Sequence, residues 1–156
     1  MSHRWAALVL VLALCAMTPR YAAGQIGTTP RGHKLKGTLG PNFPNPFNPE
    51  TTIPFTVEGC ADGNEQVEVS VRILNVVAAV VAIPVFAGPS AGSTANVSTS
   101  LNKQPMRNLR VPCGSYNTYW DGNNQRTGKE AASGVYIVQL FLNGERAWSR
   151  KIFNAK

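Results

Sequence analysis

Five prolines crowd residues 41–54 of this chain, at positions 41, 44, 46, 49 and 54. Each fixes φ near about −65°, removes a backbone donor and biases the preceding residue away from the helical region. The segment PNFPNPFNPETTIPF therefore cannot enter a helix, and it predicts an extended run leading into a strand over 51–57. Pro54 falls inside that strand, which predicts a sheet-edge position. With 14 glycines and 11 prolines among 156 residues, the rest of the chain predicts many turns and few long helices.

The segments that follow have the period of strands. Val67, Val69, Val71 and Ile73 alternate with Glu68, Ser70 and Arg72, giving one apolar and one polar face. Residues 79–86 form a second apolar run rich in Val and Ile, and 87–111 predicts an extended connection with room for one added strand. Residues 116–120 alternate aromatic and polar side chains and end at the turn pair Asp121-Gly122. Residues 135–142 have the strongest strand pattern. Asn143-Gly144 after them is a favoured two-residue hairpin turn, and 148–153 completes the hairpin. Short strands at regular spacing, with turn chemistry between them, predict an all-β antiparallel sandwich.

Residues 1–24 have the pattern of a secretory signal peptide. His3 and Arg4 precede an uncharged apolar run from Trp5 to Met17, Pro19 breaks it, and Ala22-Ala23-Gly24 supplies small residues for cleavage. The run is shorter than the roughly 20 residues a membrane-spanning helix needs. The expectation is an exported chain that does not span a membrane, cleaved near Gly24. Cys15 lies in the apolar run, leaving Cys60 and Cys113. An even cysteine count in an exported chain favours a disulfide over free thiols or a chemical role. Residues 25–40, polar, glycine-rich and basic, predict a flexible linker, which leaves 41–156 as the folded domain.

The formal net charge is +7; without Arg4 and Arg20, thirteen cations face eight carboxylates, or +5. Such a balance favours acidic partners, acidic glycans among them. The cations are scattered and no aromatic-basic ribonucleoprotein motif occurs, so no specific nucleic-acid partner is expected.

Catalytic groups are scarce. A Ser-His-Asp arrangement would have to use His33, outside the expected fold, and no glycine-rich loop follows a strand and opens a helix. Residues 121–127, DGNNQRT, have the oxygen side chains of a calcium loop. The positions needing glycine and a bidentate glutamate hold Arg126 and Ala132. No enzyme activity, cofactor or metal is expected.

Four motifs in order carry a resemblance. Asn42-Phe43-Pro44-Asn45-Pro46-Phe47-Asn48-Pro49, followed by Thr51, Ile53 and Phe55, resembles the opening of FlgD-like immunoglobulin-fold modules, which occur in many exported bacterial proteins. Trp120-Asp121-Gly122 is similar to the family's W-D-G turn and Gly128 to its loop glycine. Ser133-Gly134-Val135-Tyr136 resembles its S-G-x-Y strand entry, and Arg150-Lys151-Ile152 with Lys156 its basic-apolar final strand. The resemblance covers 41–156 and implies an immunoglobulin- or fibronectin-like sandwich of about seven strands. Where the family carries D-x-x-G after its second strand, this chain has Asn75-Val76-Val77-Ala78. Alanine disfavours the positive φ that glycine permits, so that turn must differ or carry strain.

The pattern is also similar to the type A C-terminal sorting domain of the type IX secretion system, which implies recognition through the last hairpin, with Arg150, Lys151 and Lys156 as candidates. Two functional expectations follow. One is a structural or adhesive module at the cell envelope or outside the cell, secreted or on the surface, meeting an envelope or extracellular protein or an acidic glycan. The other is a sorting module read by secretion machinery. The first is preferred, because only the 16-residue arm 25–40 stands before the module in place of a cargo.

Overall fold

The computed structural model describes residues 34–156. The expected signal peptide, Cys15, His33 and the expected linker through residue 33 lie outside the described residues. Two antiparallel sheets face each other. The first runs β1 (Lys36–Leu39), β2 (Thr51–Glu58), β7 (Gly114–Trp120), β5 (Val85–Pro89). The second runs β11 (Glu145–Asn154), β10 (Gly134–Leu142), β3 (Val67–Leu74), β4 (Val80–Ala82), with β6 (Leu109–Val111) also on β3. A small hairpin joins β8 (Asn123–Asn124) to β9 (Lys129–Glu130). The described residues thus form an all-β antiparallel sandwich. They hold eleven strands rather than about seven, the surplus being pieces of two to four residues such as β4, β6, β8 and β9.

The alternation over 66–74 builds the core. Val67, Val69, Val71 and Ile73 are fully buried, each contributing about 1.5–3 kcal/mol by leaving water. They meet Ile53, Phe55, Val57, Tyr116 and Phe86 of the first sheet in one apolar cluster. The expected hairpin forms, with Asn143 and Gly144 at φ 48° and 83°, the positive values a primed turn needs. Asn143 also exchanges bonds with β3: its N–H donates to the Glu68 carbonyl at 2.8 Å, and its Oδ1 accepts from the Glu68 N–H at 3.0 Å.

Four expectations are corrected. The linker ends before residue 36, because Lys36–Leu39 pairs with β2 and Leu39 is buried. Second, β2 lies between β1 and β7, not at an edge. Pro54 is accommodated because Gly40 donates to its carbonyl at 2.8 Å, so its nitrogen faces β1 where that ladder ends. Third, 41–50 bends at 44–46 and 48–49 instead of running fully extended, and the bends carry Phe47 into the core. Finally, the apolar run 79–86 is two strands, β4 in the second sheet and β5 in the first, parted at Ile83-Pro84. The long connection after β5 contains a 3-10 turn at Thr99–Leu101 and β6.

Candidate functional site

The motif residues converge on one corner of the sandwich. Phe47 is fully buried, with its ring 5.2 Å from Trp120 and 6.4 Å from Tyr136; Trp120 and Tyr136 lie 5.3 Å apart edge to face. Three motifs distant in sequence thus supply one aromatic cluster, each pair worth about 0.5–1.5 kcal/mol beyond burial. Each polar handle is satisfied: Trp120 Nε1–H donates to the Asn123 carbonyl at 2.9 Å and Tyr136 OH to the Ala132 carbonyl at 2.8 Å. Phe47 also bridges the last strand, its N–H donating to Phe153 O and its carbonyl accepting from Ala155 N.

The other motif residues frame that corner. Pro44 offers its carbonyl to Asn42 Nδ2 and Thr51 Oγ1, while Asn45, Pro46, Asn48 and Pro49 are exposed. Both Asp121 carboxylate oxygens accept from Asn123, one from its N–H and one from Nδ2, each at 2.9 Å. This use of the carboxylate explains the calcium-loop likeness as a turn, and no cluster of metal-binding side chains occurs among the described residues. Gly122 and Gly128 adopt φ of 77° and 67°. Ser133 Oγ accepts from the Lys156 N–H at 3.1 Å, and Gly134, in open space at φ 148°, admits the chain to β10.

Cys60 and Cys113 form a disulfide, Cα–Cα 5.9 Å. They flank the paired ends of β2 and β7, where Val57 stands opposite Gly114, so register alone brings them together. Closing a loop of 53 residues stabilises by about 4 kcal/mol on the chain-entropy model.

The three C-terminal cations differ in how they are used. Arg150 Nε donates to the Leu39 carbonyl at 3.0 Å, tying β11 of one sheet to β1 of the other. Lys156 pairs with Glu130 at 3.1 Å. Lys151 is exposed and forms no ion pair among the described residues.

A feature that sequence reasoning missed lies beside β1. An open groove of about 770 Å³ runs between 34–37 and the end of the β10–β11 hairpin, with Trp148 on its wall and Lys34, Lys36 and Arg146 around it. The sequence shows Arg146 and Trp148 close together in the last strand, but not the bulge at Ala147 that lies between them.

No protein-family model matches the chain, and no curated protein matches it. Among solved structures, the Pseudomonas fluorescens alkylpurine DNA glycosylase AlkC, bound to DNA containing an abasic site analog, is similar at 14% identity and a TM-score of 0.42. The match covers 78% of this chain and 31% of that one, and it carries no argument about function.

Proposed function

We propose that the chain is an exported, non-enzymatic immunoglobulin-like module with a structural or adhesive role at the cell envelope or outside the cell. The observation that carries this reading is the Cys60–Cys113 disulfide, a bond that persists in oxidising compartments. It is supported by the signal-peptide pattern of residues 1–24 and by the aromatic motif side chains Phe47, Trp120 and Tyr136, which pack against one another at the corner. The test is the intact mass of the protein recovered from the medium and envelope of its native host. A mass lacking the leader and two hydrogens, with Lys156 retained, supports the module as the product. Recovery from the cytoplasm with both thiols open to alkylation overturns the reading.

A second reading, a sorting module recognised by secretion machinery, is favoured by one observation: Lys151 is exposed on the final strand and forms no ion pair among the described residues. Arg150 and Lys156 are engaged within the fold, which leaves this reading one cation of its three. Loss of the C-terminal domain on export, or an added anchor mass, would support it.

A further inference from the structure

The groove beside β1 has the makings of a binding site that the corner motifs do not use. Its volume of about 770 Å³ lies within the usual range for small-ligand sites. Its lining sets Gly37 and Ala147 beside Leu35 and Leu142. A Cβ on Gly37 would come within 2.8 Å of Leu140 Cδ2 and 3.0 Å of Ala147 Cβ, so the absence of a side chain at residue 37 lets β1 lie close against the hairpin. Ala147, opposite it, is the extra residue of a bulge: Leu140 pairs with Trp148 and Phe141 with Arg146. Bulges re-aim side chains and gather near functional sites, and this one sits beside a tryptophan that is 44% exposed on the groove wall. The indole N–H of Trp120 is held by Asn123 O, whereas that of Trp148 has no acceptor among the described residues.

Charge selects the ligand. Lys34, Lys36 and Arg146 line the groove against one carboxylate, Glu145. The Lys36–Glu58 pair, 3.8 Å apart with both side chains more than half exposed, is too weak to withdraw that lysine. An open shelf with a flat aromatic and flexible cations suits a ring that is apolar on its face and anionic at its rim. A polyglutamate peptide offers the same charge without a ring to stack on Trp148, and it therefore serves as the competing ligand in the test.

We propose that this groove binds an anionic oligosaccharide, a short chain of hexuronate units. A sugar ring stacks on Trp148, and its carboxylates meet Lys34, Lys36 and Arg146. This assignment names a ligand for the adhesive reading above and rests on it.

The test titrates purified full-length protein with tetragalacturonate at low salt, following tryptophan emission and heat. Saturable binding is expected, with a change in emission that Trp148→Phe removes. Trp148→Ala and Arg146→Gln should each weaken binding at least tenfold, and Arg146→Gln should also flatten its salt dependence. Lys129→Gln, on β9 and away from the groove, should change nothing. Because Trp148 and Arg146 are tested separately, misfolding of one variant leaves the other decisive. The groove assignment is overturned by no binding, by undiminished binding in both variants, or by equal binding of the methyl-esterified tetramer or of a polyglutamate peptide of matched charge. Localisation is a separate readout. A chain retained in the cytoplasm that still binds overturns export alone, and an exported chain that does not bind overturns the groove alone.

Discussion

Gly122 lies against the carbonyl of Pro49, so that a Cβ built on the glycine would stand 1.9 Å from that oxygen. The turn after β7 and the proline-rich entry before β2 are therefore fitted to each other, and φ of 77° at Gly122 adds a second reason for glycine. Relieving such a contact requires backbone to move, since the obstructing atom is not the end of a flexible side chain.

Gly122→Ala should consequently destabilise the fold by about 3 kcal/mol, combining left-handed strain with overpacking. Chemical denaturation of the purified variant measures this. A loss under about 0.5 kcal/mol, the range of ordinary surface changes, would show that the two segments are not locked together.

Ala78 offers a change of the opposite sign. It occupies the position where the resembled family has glycine, and it adopts φ of 59°. Asn75 holds the turn, its Oδ1 accepting from the N–H groups of Val77 and Ala79 and its carbonyl from Ala78. The alanine thus takes the left-handed conformation itself and bears the strain. Left-handed backbone costs a non-glycine residue about 1–2 kcal/mol, part of which a glycine returns as chain entropy in the unfolded state. Ala78→Gly should raise the unfolding free energy by about 0.5–1 kcal/mol, read as a higher denaturation midpoint at unchanged slope. A lower midpoint would mean that the alanine is unstrained.

The degree to which sequence anticipates this molecule follows the range of each interaction. The strand alternation over 66–74, the Asn143-Gly144 turn and the cysteine pair are local or compositional, and the structure has all three. The cluster of Phe47, Trp120 and Tyr136 was legible as motifs but not as a contact, because nothing in the spacing says that three segments share a corner. Two features were hidden. The hop from β4 to β5 interrupts a continuous apolar run, and only Pro84 marks the break. The groove depends on Ala147 being extra in its pairing, a property of register, and a one-residue offset has no signature in hydrophobic pattern.

Tyr116 makes alkaline stability a readout of the core. Its hydroxyl donates to the Pro112 carbonyl at 2.6 Å, and burial pushes its pKa up to about 12. The folded state favours the neutral phenol. The stabilisation is therefore complete below the unfolded value of about 10 and is lost as pH rises from there through about 12. Unfolding free energy measured at steps from pH 9 to 12 should fall, and Tyr116→Phe should flatten the fall while costing about 1 kcal/mol at neutral pH for the missing hydrogen bond. Tyr119, whose pKa is also raised to about 12, chiefly by its hydrogen bond to Glu50, lies at the surface and contributes less. A profile unchanged by Tyr116→Phe would assign the alkaline loss elsewhere.

Neighbouring cations on β11 separate scaffold from recognition. Arg150 joins the two sheets through the Leu39 carbonyl, so Arg150→Ala removes a charge-assisted bond and leaves a half-covered acceptor, with an expected loss of about 1.5 kcal/mol. Lys151, exposed on the same strand, should tolerate Lys151→Ala within about 0.5 kcal/mol. The pair therefore distinguishes two causes of an export defect. If Arg150→Ala alone reduces the amount outside the cell, and does so with its melting temperature, folding is the cause. If Lys151→Ala abolishes export while its unfolding curve overlays the parent's, the final strand is being read by a partner, and the sorting reading displaces the adhesive one.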